Sequence, residues 1–168
     1  MGNGITKILP DLYLGNLKDA RDRELLARHN ITHILSIHDT ASPVLEEMTY
    51  LCIPAADHSK QNLVAGVSRS VTLVVAYIMT VTGRGWVQAL GAVRAARPCA
   101  GPNLGFLRQL EEFQNTELAQ YRAWWSERFG KSPFSDDDEI QNLLNHKSAN
   151  GRSATDTATA ADLGTAGT

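Results

Sequence analysis

Hydrophobic positions in the first third of the chain form short runs separated by polar residues and turn formers. Residues 12–14 predict a short strand, and 31–37 and 49–53, which are rich in β-branched and aromatic residues, predict two more. Between the first two strands, residues 18–29 place a few apolar side chains among charged ones, as in an amphipathic surface helix. The order strand, helix, strand, strand predicts an α/β domain.

Apolar residues recur at helical spacing over most of the chain that follows. Residues 71–82 are apolar on nearly all sides, which predicts a buried central helix. A second helix is predicted over 86–96, ending before Pro98, and a third and longer one over 104–129. The aromatic side chains of the third helix follow its spacing, so we interpret them as core residues rather than as a ligand-binding cluster.

The composition changes after residue 134, which we take as the end of the main domain, 1–134. Ser135 and Asp138 resemble a capping box ahead of three apolar residues, which predicts a short helix over 135–147. Residues 148–168 consist largely of Ala, Thr, Gly and Ser and have little to bury. We therefore expect this tail to be disordered.

Charge and cysteine content narrow the functional classes. The chain of 168 residues carries 16 basic and 18 acidic residues, a net charge of −2, which gives no electrostatic case for binding nucleic acid. Its two cysteines, Cys52 and Cys99, lack the spacing of a disulfide framework or of a zinc site. We expect a reducing intracellular environment and neither metal nor cofactor.

The first six residues, MGNGIT, match the pattern for N-myristoylation on Gly2. The alternative is a flexible start that happens to contain glycines. One myristoyl chain binds a membrane with a constant of only ~10⁴ M⁻¹, and the basic residues that follow are matched by acidic ones. We therefore expect a cytoplasmic protein that attaches reversibly to the cytoplasmic face of membranes, with the nucleus also open to it.

Residues 66–70, Gly-Val-Ser-Arg-Ser, directly precede the apolar helix and have the features of a phosphate-binding loop. Gly66 lets the backbone approach an anion, and the helix N-terminus supplies free N–H donors and a favourable dipole. The guanidinium of Arg69 can bind two phosphate oxygens at once. Taken alone, the pattern also fits an ordinary helix start with an exposed arginine.

The surrounding sequence resembles the dual-specificity protein phosphatases. Their signature, His-Cys-x-x-Gly-x-x-Arg-Ser, has an Asp on an earlier loop and an Arg-Pro…Pro-Asn-x-Gly-Phe stretch after it. Here YLCIPAAD ends in Asp57, AGVSRS contains the Arg-Ser pair, and RPCAGPNLGF follows. The similarity covers residues 1 to about 134. It implies a sheet flanked by helices and hydrolysis of phosphotyrosine and phosphoserine/threonine on signalling proteins through a phosphocysteine intermediate.

The resemblance assigns a role to each matching residue. Asp57 matches the general acid and base, and Ser70 matches the hydroxyl that helps the thiolate to leave. The simpler alternatives are a turn residue for Asp57 and a helix N-cap for Ser70. Phosphate binding is assigned to the loop Ala65, Gly66, Val67, Ser68 and Arg69, with Arg69 stabilising the transition state.

The nucleophile of the family is missing from its expected place. Counting back from Gly66 puts Asn62 at the His position and Leu63 at the Cys position, and leucine has no lone pair with which to attack phosphorus. Cys52 lies in a predicted strand and Cys99 lies beyond two predicted helices. We expect neither of them to act as a substitute.

The segment before the loop is too short for the family's architecture. Only residues 58–63 lie between Asp57 and Val64, whereas a parallel strand needs a crossover of ~10–12 residues or more. We infer an internal deletion near 63/64, of the kind an omitted exon would leave. The missing part would be the crossover helix and the central strand that carries the catalytic Cys.

Three functional hypotheses follow. The chain is an active cysteine-dependent phosphatase, a non-catalytic phosphate-binding module held near membranes by myristate, or a splice product that does not fold properly. The lack of a nucleophile favours the second and third and predicts little or no activity. The resemblance implies phosphoprotein partners, including those of mitogen-activated kinase pathways.

Overall fold

The computed structural model describes residues 4–55 and 68–156, with side chains as far as residue 149. Its strands are β1 (Thr6–Leu9), β2 (Leu12–Leu14), β3 (His33–Ile37) and β4 (Thr49–Ile53). Its helices are α1 (Arg23–Arg28), α2 (Arg69–Thr82), α3 (Trp86–Ala96), α4 (Leu104–Thr116), α5 (Leu118–Phe129) and α6 (Asp136–Asp156). The predicted α/β class is confirmed, with small sheets flanked by helices.

The four strands form two separate sheets. β1 and β2 pair antiparallel as a hairpin, whereas β3 and β4 pair parallel with His33 opposite Thr49 and Ile37 opposite Ile53. Strand β1 was not expected from the sequence. Within the described residues nothing pairs with the second edge of β2 or of β3, so the two sheets are not joined.

The predicted helix over 18–29 is two shorter elements. Asp19–Arg21 forms a 3-10 turn, and α1 begins after Asp22, whose carboxylate accepts a hydrogen bond of 3.0 Å from the Leu25 N–H. An Asp that caps a helix from the middle of the predicted stretch divides it, because the N-cap residue has non-helical backbone angles. The apolar face is nevertheless used as expected, with Leu26 buried.

Helix α2 is the centre of the larger hydrophobic core. Val71, Val75, Ile78 and Met79 are fully buried, as the apolar run over 71–82 predicts. They pack with the hairpin and with α3, α4 and α6. A second and smaller cluster under β3 and β4 contains three buried residues: Leu26, Ile34 and Leu45.

The C-terminal helices differ from the prediction in two places. The stretch over 104–129 is two helices, because α4 ends at Thr116 and α5 begins at Leu118, with Glu117 between them at a φ of −119°. Helix α6 begins at Asp136, one residue after the predicted start, and continues to Asp156, beyond the predicted end at residue 147. Extending a helix that is already nucleated costs little, so a weakly apolar sequence can follow it. Residues 157–168 lie outside the described residues.

Candidate phosphate-binding site

The N-terminal end of α2 lies where the loop motif predicts an anion site. Ser68 precedes the helix and is buried, and its carbonyl accepts hydrogen bonds from the Thr72 N–H at 2.9 Å and the Thr72 hydroxyl at 2.7 Å. The first turn of α2 contains no acidic residue. The positive end of the helix dipole is therefore not neutralised by a carboxylate from its own first turn.

Arg69 is held at this helix end by two contacts. Its Nη1 donates to Asp39 Oδ1 at 2.7 Å and to the Ala55 carbonyl at 2.8 Å. The arginine side chain is 15% exposed, whereas the Asp39 carboxylate is 63% exposed. Because the backbone contact orients the guanidinium and the carboxylate is open to solvent, an anion of higher charge could replace Asp39 without moving Arg69 far.

Two other segments converge on the start of α2. Ala55 follows β4 and contacts Arg69, while the Asn103 N–H donates to Ser68 Oγ at 3.1 Å. The sequence places Asn103 in the stretch that resembles the family but does not reveal this contact, which joins residues 35 positions apart. Asn103 Oδ1 also accepts from the Phe106 N–H at 2.9 Å and so caps α4.

The buried Arg97 connects the same loop to the hairpin. Its Nη1 donates to the Gly4 carbonyl at 3.2 Å, the Thr6 hydroxyl at 2.9 Å and the Leu14 carbonyl at 3.3 Å. The residue is only 5% exposed. Its role here is structural, because it holds β1 and β2 against the segment that leads to Asn103.

The two cysteines lie on the segments that converge at α2. Cys52 is half-buried in β4, opposite Ser36 of β3, and Cys99 is exposed in the loop after α3. Cys52 is three residues before Ala55, which contacts Arg69, and Cys99 is four residues before Asn103, which contacts Ser68. The hydrogen bonds that these two segments make with the start of α2 involve Ala55 and Asn103.

The remaining predicted site residues are divided between the described part of the chain and the rest. Ser70 is half-buried in the first turn of α2 and lines the cavity between the hairpin and β3. Outside the described residues lie the proposed general acid Asp57, Leu63 at the Cys position and the acylation site Gly2. The same holds for three residues of the predicted phosphate loop: Ala65, Gly66 and Val67. The sequence did not predict Asp39 as a site residue, because its neighbours identify it only as part of a turn.

The two groups with shifted pKa values, Asp136 and Tyr77, lie away from this site. Burial raises the pKa of Asp136 at the start of α6, and the charge of Glu139 raises it further, while a hydrogen bond from the Ser132 hydroxyl lowers it. Burial also raises the pKa of Tyr77, with a smaller contribution from the charge of Asp136. These groups line a cavity beside α5 and are not positioned to take part in chemistry at Arg69.

Among residues 4–55 and 68–156, no three His, Cys, Asp or Glu side chains are close enough to hold a metal ion. In the same part of the chain, no helix combines the length and apolar character needed to cross a bilayer.

Comparison with known proteins identifies the family. The model for the dual specificity phosphatase catalytic domain matches residues 64–116. Zebrafish dual specificity protein phosphatase 22-B is 60% identical over 169 residues, covering 86% of this chain and 92% of the relative. The chain belongs to the dual-specificity phosphatase family. The human dual specificity protein phosphatase 22 is 53% identical with the same coverage, and the mouse member numbered 15 is 44% identical, covering 86% of this chain and 72% of that relative.

Solved structures agree with this assignment. The crystal structure of DUSP15 superposes with a TM-score of 0.70 at 45% identity, covering 78% of this chain and all of that one. The human tyrosine phosphatase-like serine/threonine/tyrosine-interacting protein gives 0.62 at 28% identity, covering 70% of this chain and 99% of the other. The fold of the described residues is therefore that of a dual-specificity phosphatase.

The alignment with the zebrafish relative is longer than the part of this chain that it covers. The zebrafish alignment spans 169 residues, whereas 86% of this 168-residue chain is about 144 residues. The difference, 169 minus 144, leaves about 25 positions of the relative without a counterpart here. The family model begins its match at residue 64, immediately after the position where the sequence indicates a deletion.

Proposed function

We propose that this chain binds phosphorylated side chains at the start of α2 and does not hydrolyse them at an enzymatic rate. The observation that carries the proposal is the position of the Arg69 guanidinium. The Ala55 carbonyl orients it, and it donates a hydrogen bond to the exposed carboxylate of Asp39. A phosphate dianion offers the same guanidinium a second negative charge and more oxygen acceptors than a carboxylate. It would take the place of Asp39 and gain the free donors at the helix N-terminus.

The lack of hydrolysis follows from the chemistry of the family. The thiolate nucleophile has no counterpart at Leu63, and an arginine with a general acid can stabilise charge but cannot form the phosphocysteine intermediate. Uncatalysed hydrolysis of phosphate monoesters is so slow that enzymes accelerate it up to ~10²¹-fold. The shortfall of about 25 aligned positions and the division into two sheets support a deletion that removed the nucleophile.

The partners we propose are phosphoproteins, including those of mitogen-activated kinase pathways. Acylation of Gly2 would keep the protein near the cytoplasmic face of membranes, reversibly, and a form without the acyl chain would be free to enter the nucleus. In this arrangement the chain shields or recruits phosphorylated proteins.

Titration of the purified chain with a fluorescent phosphotyrosine peptide tests binding, with Arg69→Ala as the critical variant. Arg84→Ala is a matched control, because Arg84 also donates to an aspartate, Asp137, at 2.7 Å and its side chain is 16% exposed. We expect Arg69→Ala to weaken binding by about 10-fold or more, consistent with loss of a charge-assisted hydrogen bond, and Arg84→Ala to leave it unchanged. Equal affinities for wild type and Arg69→Ala would refute the proposal.

The second candidate function, catalysis by one of the remaining thiols, is favoured only by the convergence of the Cys52 and Cys99 segments on α2. Phosphate release from the same peptide, measured for wild type, Cys52→Ser and Cys99→Ser, separates the two functions. The third hypothesis, failure to fold, predicts broad and uncooperative thermal unfolding. A single sharp transition would argue against it.

A further inference from the structure

A slot separates the hairpin from the parallel sheet. It consists of two cavities of about 340 and 660 Å³, one on the α1 side and the other on the α5 side. Both are lined by Asp11, Leu12, Leu35, Leu73 and Val74, so they meet along the same line. The slot therefore runs between β2 and β3 with α2 as its floor.

The edges of both strands face this slot. Three consecutive residues of β2, 12–14, line the smaller cavity, and so do three consecutive residues of β3, 33–35. Because successive side chains of a strand point to opposite faces, a space that contacts consecutive residues lies along the strand edge. β2 pairs on its other edge with β1, and β3 with β4, so the N–H and C=O groups on the slot side have no ladder partner in the described residues.

The walls of the slot show what would fill it. Leu35 is 44% exposed and Leu73 is 38% exposed, although they lie on a sheet and on the central helix of the fold. A small apolar ligand could cover these side chains but could not satisfy two rows of backbone donors and acceptors. An extended polypeptide segment does both, since it has a ladder edge on each side and side chains on each face.

The charged side chains that line the slot indicate which residue types the bound segment would contain. In the described chain the two cavities are lined by three carboxylates, Asp11, Asp19 and Asp136, and by neither Lys nor Arg. Asp11 lies at the hairpin turn, is exposed, and lines both cavities. A basic residue at one end of the segment would lie against this carboxylate, and a strand buried on both faces is apolar along its length.

We propose that the slot accepts an extended segment of another polypeptide, apolar on both faces and with a basic residue at one end, as a strand between β2 and β3. The peptide would complete a continuous sheet from the hairpin to β4. This proposal depends on the strand edges and is independent of phosphate binding at Arg69.

The test uses the full chain and a labelled peptide, Arg-Gly-Val-Leu-Val-Ile-Val-Ser, followed by fluorescence anisotropy. We expect saturable binding at micromolar protein and slower hydrogen exchange of the amides in 12–14 and 33–37. A peptide with proline in place of its leucine should bind about 10-fold or more weakly, because it loses a ladder donor and strains the strand. A peptide with glutamate in place of arginine should also bind more weakly.

Two leucine variants locate the binding. Leu35→Arg places a charge in the slot and should abolish peptide binding. Leu51→Arg makes the same change on β4 at a position that is 62% exposed and lines neither cavity, so it should leave binding intact. Both sites are open to solvent, so both variants should unfold at temperatures close to that of wild type. Arg69→Ala should bind this peptide normally, which separates the proposal from phosphate binding.

The results that would overturn the proposal are specific. Absence of peptide binding to a monomeric wild type would refute it, as would equal loss in Leu35→Arg and Leu51→Arg or equal affinity for the proline peptide. If wild type is a dimer that Leu35→Arg converts to a monomer, the occupant is a second copy of this chain and the proposed partner is wrong.

Discussion

Asp39 Oδ1 lies 2.7 Å from Arg69 Nη1, so the turn after β3 supplies a carboxylate to the arginine that the loop motif assigns to phosphate. The contact joins residues 30 positions apart. An anion that binds at the start of α2 must compete with this carboxylate.

Replacing the competing carboxylate should tighten phosphate binding. Asp39→Asn removes the charge while keeping the shape of the side chain, and an exposed ion pair is worth ~0.2–1 kcal/mol, so we expect affinity to rise by about 1.5- to 5-fold. Isothermal titration with a phosphotyrosine peptide measures the change. Asp137→Asn, at the partner of Arg84, is the control that should leave affinity unchanged. A decrease for Asp39→Asn would mean that Asp39 assists binding instead.

The buried Arg97 should matter more for stability than any other polar contact described above. Arg97→Ala leaves the Gly4 and Leu14 carbonyls and the Thr6 hydroxyl without their donor, so we expect a loss of ~2–4 kcal/mol in the free energy of unfolding. Urea denaturation measures it. The exposed Arg108→Ala on α4 is the control, with an expected change within ~0.5 kcal/mol. A similar small change for Arg97→Ala would contradict the structural role.

Asp136 should make stability depend on pH in a defined direction. Burial raises its folded-state pKa above the ordinary value of 3.8, so in the interval between the two pKa values the folded protein binds more protons than the unfolded chain. The stability contributed by this group is fully present below pH 3.8 and is lost as the pH rises through the raised pKa.

Comparison with Asp136→Asn isolates this effect. The unfolding free energy of wild type, relative to Asp136→Asn, should fall as the pH is raised from the acidic side and then level off. The exposed Asp138→Asn, on the same turn of α6, should not reproduce the trend. A difference that grows with pH would mean that the folded protein favours the charged carboxylate.

Acylation at Gly2 should give weak and reversible membrane binding. Co-expression with an N-myristoyltransferase and mass spectrometry should show the modification, which Gly2→Ala should abolish. The acylated protein should bind neutral vesicles with a constant of ~10⁴ M⁻¹ and be released on dilution. Unmodified Gly2 under these conditions would remove the proposed membrane localisation and leave the phosphate-binding proposal intact.

Much of the fold follows from local pattern. Thr49–Ile53 and Trp86–Ala96 have the bounds that their apolar runs and the following prolines predict. Helix α2 begins two residues earlier than its apolar run, at Arg69. These elements are readily predicted because local propensity and burial favour the same conformation.

The predicted and observed structures differ where contacts between residues distant in the sequence determine the local conformation. The apolar spacing continues through residue 117, but the structure divides the stretch there into α4 and α5, and Tyr121 packs against Phe113 and Trp125 against Tyr77. Strand β1 depends on pairing with β2 and on Arg97, which is 91 positions from Thr6. The Asp39 contact is of the same kind, because no local pattern shows which arginine a turn carboxylate will meet.

The most direct test of the central claim is the intact mass of the purified chain after mixing with a phosphotyrosine peptide and quenching with acid. We expect the unmodified mass at every time point, with no phosphate release above that of buffer, although the peptide binds wild type and binds Arg69→Ala about 10-fold or more weakly. A mass increase of one phosphoryl group that disappears in Cys52→Ser or in Cys99→Ser would show that a sulfur still attacks phosphorus and would contradict the claim.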